Sequence, residues 1–110
     1  MQPVYQISEL RERITPIAEK YNVPQVYLFG SYARNEATEN SDVDLLITRR
    51  GSKIRSLLDM GALYEDLECS LGKRVDVITA ESLESPINKQ HNPLFADQLY
   101  KERVMVYEKR

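Results

Sequence analysis

The stretch Asp42-Val43-Asp44-Leu45-Leu46-Ile47 constrains this chain more than any other. An alternating start followed by three apolar residues reads as a β-strand from Asp42 to Thr48, broken by Gly51 and Ser52. Alternate side chains of a strand share a face, so Asp42 and Asp44 point the same way, with Cα atoms roughly 6.5–7 Å apart. Like charges so placed repel. Two carboxylates at that reach can instead grip hard cations jointly, spaced about 3.5–4 Å apart in two-metal sites. An isolated Asp-X-Asp is equally what a solvated strand start with ordinary surface acids looks like, so the rest of the chain has to decide.

Two other features bear on it. Gly30-Ser31 directly follows the apolar and aromatic run Val26-Tyr27-Leu28-Phe29, itself a short buried strand. Glycine permits a tight turn and close approach of a ligand to the backbone. The N–H groups of Ser31 and Tyr32 would then open a short helix over Ser31 to Arg34, where free donors and the dipole favour phosphate. The Ser31 hydroxyl adds a donor. Alone, such a pair is simply a turn. The third feature is Asp76 inside Val75-Asp76-Val77-Ile78. Strand propensity does not explain an aspartate there, although an outward-facing strand position would. A phosphate nest, a paired-carboxylate strand and a third carboxylate on another strand form the inventory of a two-metal phosphoryl-transfer site.

Elsewhere the pattern is that of a small domain. Leu10, Ile14, Ile17, Ala18 and Tyr21 recur at helical spacing, predicting a helix over 7–21, capped by Ser8 and kinked or split at Pro16. Leu57, Met60, Leu63, Tyr64, Leu67 and Leu71 mark a second helix over 56–71, ended by Gly72. Residues 74–78 read as a third strand. Residues 80–91 are ambiguous, with Pro86 opening a short turn. Asn92-Pro93 starts a helix reaching Glu102, and Val104 to Tyr107 forms a last strand. This order predicts an α+β fold, a small mixed sheet of about four strands with helices packed against it, in one domain spanning 1–110.

Composition excludes several classes. With 15 basic and 17 acidic residues the net charge is −2, so bulk attraction for nucleic acid is not expected. A single cysteine, Cys69, excludes an internal disulfide framework and a cysteine-rich zinc site, and fits the cytoplasm. Residues 1–13 carry no apolar core of a secretory signal, and no apolar run is long enough to span a membrane.

Gly30-Ser31-Tyr32-Ala33-Arg34 followed by Ser41-Asp42-Val43-Asp44-Leu45-Leu46 resembles the signature of the DNA polymerase β-like nucleotidyltransferases. The short length and the Phe-Gly-Ser-Tyr-Ala-Arg wording resemble the minimal nucleotidyltransferases, many of which pair with a HEPN-type RNase toxin as its antitoxin in type VII toxin–antitoxin systems. The resemblance covers most of the chain and is sharp from Leu28 to Ile47 and around Asp76. It implies that Gly30 and Ser31 bind the triphosphate of ATP, and that Asp42 and Asp44 coordinate two Mg2+ ions, with Asp76 completing the one on the nucleophile side. It implies transfer of AMP to a tyrosine of the toxin, which loses RNase activity. Relatives often carry glycine after the arginine; Asn35 stands there instead, and asparagine tolerates left-handed backbone.

Arg34 is a candidate for bidentate phosphate contact or a solvent-facing side chain. Larger relatives add a helical domain shaping the acceptor pocket, so a heteromeric complex is expected, with Tyr32, Tyr64 and Tyr100 as candidate anchors, Tyr64 fitting core packing better. Lys73-Arg74 could face phosphate or a partner. His91 reads as a loop residue, Cys69 as a partly exposed bystander, and residues 108–110 as a solvated tail. Two competing functions remain: nucleotidyl transfer to a small molecule or RNA end, and a non-catalytic antitoxin that acts by binding.

Overall fold

Alternating side-chain direction along each strand decides how the layers stack. The computed structural model describes residues 4–109. Residues 1–3, part of the segment searched for a signal, and Arg110 of the predicted tail lie outside that range. Four strands, β1 (Gln25–Phe29), β2 (Val43–Ile47), β3 (Val75–Thr79) and β4 (Val104–Glu108), form one sheet in the order β3-β2-β1-β4. β1 pairs antiparallel with β2 and with β4, while β2 and β3 run parallel. The sheet is therefore mixed, as predicted.

Val26, Leu28, Val43, Leu45, Ile47 and Val75 point to one face. There they meet α1 (Ile7–Lys20) and α2 (Leu57–Leu71) through the stripes Leu10, Ile14, Ala18 and Leu63, Leu67, Leu71. Each stripe repeats every fourth residue, so one side of each helix is apolar along its length. Burying a leucine of this kind contributes about 1.5–3 kcal/mol. The opposite face carries Tyr27, Phe29, Leu46 and Ile78. Three shorter helices, α3 (Ala80–Leu83), α4 (Pro86–His91) and α5 (Phe95–Glu102), follow β3, and Leu83 and Leu99 pack against these residues.

Several local expectations are corrected. α1 is capped by Gln6 in a reciprocal box with Glu9, not by Ser8. It runs unbroken through Pro16. The proline frees the carbonyl of Glu12, and both residues are exposed, so water can satisfy it. Residues 80–91 hold two helices, and α5 begins at Phe95 after Leu94 rather than at Asn92-Pro93. The C-cap of α2 is Gly72, left-handed at φ 65°, as expected. No helix among the described residues is long and apolar enough to cross a membrane.

Candidate active site

Register brings the acids together. Asp44 of β2 lies directly opposite Asp76 of β3 in the parallel ladder, so the two carboxylates leave the same face of the sheet. Asp42 stands two residues before Asp44, just ahead of the strand. The face is the one bearing Phe29, Leu46 and Ile78, whose far half is covered by α3 and α5. Asp76 is exposed and Asp44 half-buried. Burial, then the like charges of Asp76 and Asp42, push the Asp44 carboxyl up to about 6.

The glycine turn is tied to this acid by geometry. Gly30 ends β1 at φ 74°, and a Cβ built on it would lie 2.2 Å from Oδ2 of Asp44. Only glycine lets the carboxylate lie against the turn's backbone. The short helix expected over 31–34 is instead a single turn. Arg34 N–H donates to the Gly30 carbonyl (3.1 Å) and Glu36 N–H to that of Ser31 (2.9 Å). Asn35 closes the turn at φ 60°, the left-handed conformation that asparagine was expected to tolerate.

Among the described residues no three His, Cys, Asp or Glu side chains converge closely enough to hold an ion as they stand. The donor set nevertheless suits magnesium: three carboxylates supply hard oxygens, and the inner one, its carboxyl raised by burial and then by like charges, has neighbours whose repulsion a divalent cation would neutralise.

One functional candidate escaped sequence reading, and a second was read for a different role. Glu102, the last residue of α5, accepts from the backbone N–H of Gly30 (3.1 Å) and from Nη1 of Arg34 (3.0 Å). It sits three residues beyond buried Leu99, a spacing that could have revealed its direction. Lys73 is only 3% exposed. Its ammonium donates to the carbonyls of Glu39 (2.8 Å) and Ser41 (3.4 Å), fixing the loop that delivers Asp42. This corrects the expectation that Lys73 faces phosphate or a partner. Tyr32, expected as an interface anchor, is buried in the core with its hydroxyl unpartnered among the described residues. Tyr64 is half-buried, its hydroxyl bridging Val77 N–H and C=O. Tyr100 hydrogen-bonds Glu84. His91 closes α4 at the surface rather than lying in a loop, and Cys69 is exposed.

A cleft of about 420 Å³ opens beside the turn, lined by Phe29, Gly30, Arg34, Phe95, Leu99 and Glu102 among others. A larger one of about 840 Å³ lies between α1 and β4. Its lining mixes Arg11, Glu19, Glu108 and Lys109. Of the two, the smaller cleft is the one lined by Gly30, the residue that lies against Asp44, so the chemistry points there.

Comparison with known proteins agrees. Residues 12–110 match the family model for polymerase β nucleotidyltransferases. A Methanocaldococcus jannaschii chain assigned to the protein adenylyltransferases is 42% identical over 100 residues, covering 91% of this chain and 97% of that one. The protein adenylyltransferase MntA of Thermococcus cleftensis is 45% identical over 73 residues, 66% of this chain and 72% of its own. A chain from a complex of the tri-AMPylated Shewanella oneidensis HEPN toxin with its MNT antitoxin superposes with a TM-score of 0.62. At 17% identity over 94% of this chain and 73% of that one, it speaks for the fold alone.

Proposed function

Because this chain belongs to the polymerase β-type nucleotidyltransferases, we propose that it is a magnesium-dependent protein adenylyltransferase that transfers AMP from ATP to a tyrosine hydroxyl of a HEPN-type RNase toxin. The resemblance to adenylyltransferases, over 91% of the chain in one relative and 66% in another, supports the reaction class. The observation that carries the site is the pairing of Asp44 with Asp76 across β2 and β3, with Gly30 pressed against Asp44.

In this reading Asp42, Asp44 and Asp76 hold two magnesium ions. Bound there, the metal supplies charge neutralisation and eases deprotonation of the attacking hydroxyl. Gly30 and Ser31 receive the triphosphate at the turn that ends β1. The acceptor oxygen attacks the α-phosphorus in line. The bond from that phosphorus to the bridging oxygen of the β-phosphate breaks, and pyrophosphate leaves. The phenol proton passes to Asp76, whose exposure on the open side of the pair supports that assignment. Asp44, deeper and flanked by like charges, positions rather than shuttles. Most of the rate comes from holding the groups in line and stabilising charge.

The experiment is the mass of a cognate HEPN-type protein after incubation with this chain, ATP and magnesium. Gain of one or more AMP units, lost with Asp44→Asn, is the expected outcome. Undiminished transfer by Asp44→Asn would remove the aspartates from the mechanism.

A further inference from the structure

Glu102 occupies donors that a triphosphate would want. One carboxylate oxygen takes the Gly30 N–H at 3.1 Å and the other takes Nη1 of Arg34 at 3.0 Å. A carboxylate bridging a backbone N–H and a guanidinium is the arrangement by which phosphate oxygens are bound. The residue reaches this place because Leu99, one helical turn earlier, docks α5 on the sheet face that also carries Asp44 and Asp76. The end of the helix is pinned by Arg103, whose guanidinium lies over the rings of Tyr27 (4.1 Å) and Tyr100 (4.7 Å). Glu102 also adds to the negative field on Asp44. Its side chain lines the cleft beside the turn and is 26% exposed, while that of Arg34 is 46% exposed. The carboxylate therefore has a route to solvent.

We propose that Glu102 sets the affinity for nucleotide by competing with the triphosphate for Gly30 N–H and Arg34. Nucleotide entry exchanges one anion for another: the carboxylate swings into the cleft, and phosphate oxygens take the released donors. This deepens the proposed function and rests on its assignment of the turn to the triphosphate. Arg34 gains a second role, since it is held ready in the arrangement it presents to phosphate.

The test is equilibrium binding of a non-hydrolysable ATP analogue with magnesium, measured by calorimetry without acceptor protein. Glu102→Gln keeps a carbonyl oxygen for Gly30 N–H, so the turn stays supported, but it removes the nearer of the two carboxylate charges on Arg34, leaving Glu36 at 3.6 Å from Nε. It should bind the analogue about threefold to fivefold more tightly, the upper part of the range expected for releasing a partly exposed ion pair. In an Arg34→Gln background the gain should shrink to about twofold or less, because the two residues act as a pair. A residue that merely braced the turn would give the opposite sign. Unchanged or weaker binding by Glu102→Gln, or the same gain without Arg34, overturns the proposal while leaving the function intact. Failure of wild type and variants alike to bind the analogue would overturn both. Glu102→Ala, with no oxygen at all, provides a second reading of the same sign.

Discussion

Replacing Asp44 by asparagine should make the folded chain more stable and the enzyme inactive. The carboxyl of Asp44 is pushed up to about 6, first by burial and then by Asp76 and Asp42. A raised carboxyl pKa means that the folded chain keeps a proton the unfolded chain has already released. Stability contributed at this position therefore falls as pH climbs from about 4 to about 6, and stays lowered above. At about 1.4 kcal/mol per pH unit the ceiling is about 3 kcal/mol. The residue is only half-buried, so solvent screening reduces this to about 1–2 kcal/mol. Asparagine has the same shape and never ionises. Urea unfolding in the presence of a chelator should show the variant more stable by about 1–2 kcal/mol at pH 8, or about 5–10 °C in Tm. Near pH 4 the two proteins should be equal. Saturating magnesium should stabilise the wild type and narrow the gap at pH 8, since a ligand of the folded state adds to its stability. A variant no more stable than wild type at pH 8, or a gain that is the same at both pH values, would refute the reasoning.

Other substitutions separate geometry from charge. Gly30→Ala places a methyl against Asp44 Oδ2 at a positive φ. It should cost about 1–3 kcal/mol in urea unfolding and lower AMP transfer more than about tenfold. Lys73→Met keeps the stem in the core but lets go of the carbonyls of Glu39 and Ser41. Stability should change by less than about 1 kcal/mol, because lost charged hydrogen bonds and relief of a buried ammonium oppose each other. The kcat of transfer should fall about tenfold as Asp42 loosens. Asp76→Asn at an exposed position should alter stability by less than about 0.5 kcal/mol, yet reduce transfer by about a hundredfold or more. Chelation of magnesium should stop wild-type transfer and re-addition restore it, as read by labelled ATP.

The legible part of the chain was its periodicity. α1, α2 and all four strands follow from apolar spacing and from breakers such as Gly72, because those signals are local. The acids were legible as residue types in an alternating pattern, whereas the register that sets Asp44 beside Asp76 depends on how α2 returns the chain to the sheet. Glu102 was not singled out, and Lys73 was singled out for a different role, because their roles lie in long-range partners. Glu102 meets Gly30 and Arg34 from the far end of the chain, and Lys73 reaches back to a loop before β2. Tyr32 was misjudged because aromatic character alone does not distinguish an anchor from a core side chain, and the turn carries it inward. The helix start near Asn92-Pro93 slipped because proline permits a first turn without requiring one.

The parallel pairing of β2 with β3 has a consequence for biogenesis. The two halves of the acid pair are separated along the chain by the whole of α2, and parallel strands cannot meet through a tight hairpin. That pair can assemble only after the crossover has folded back, a contact of the slow, non-local kind. A nascent or misfolded copy thus lacks its juxtaposed aspartates, and appearance of enzymatic turnover during refolding would time the completion of the native topology.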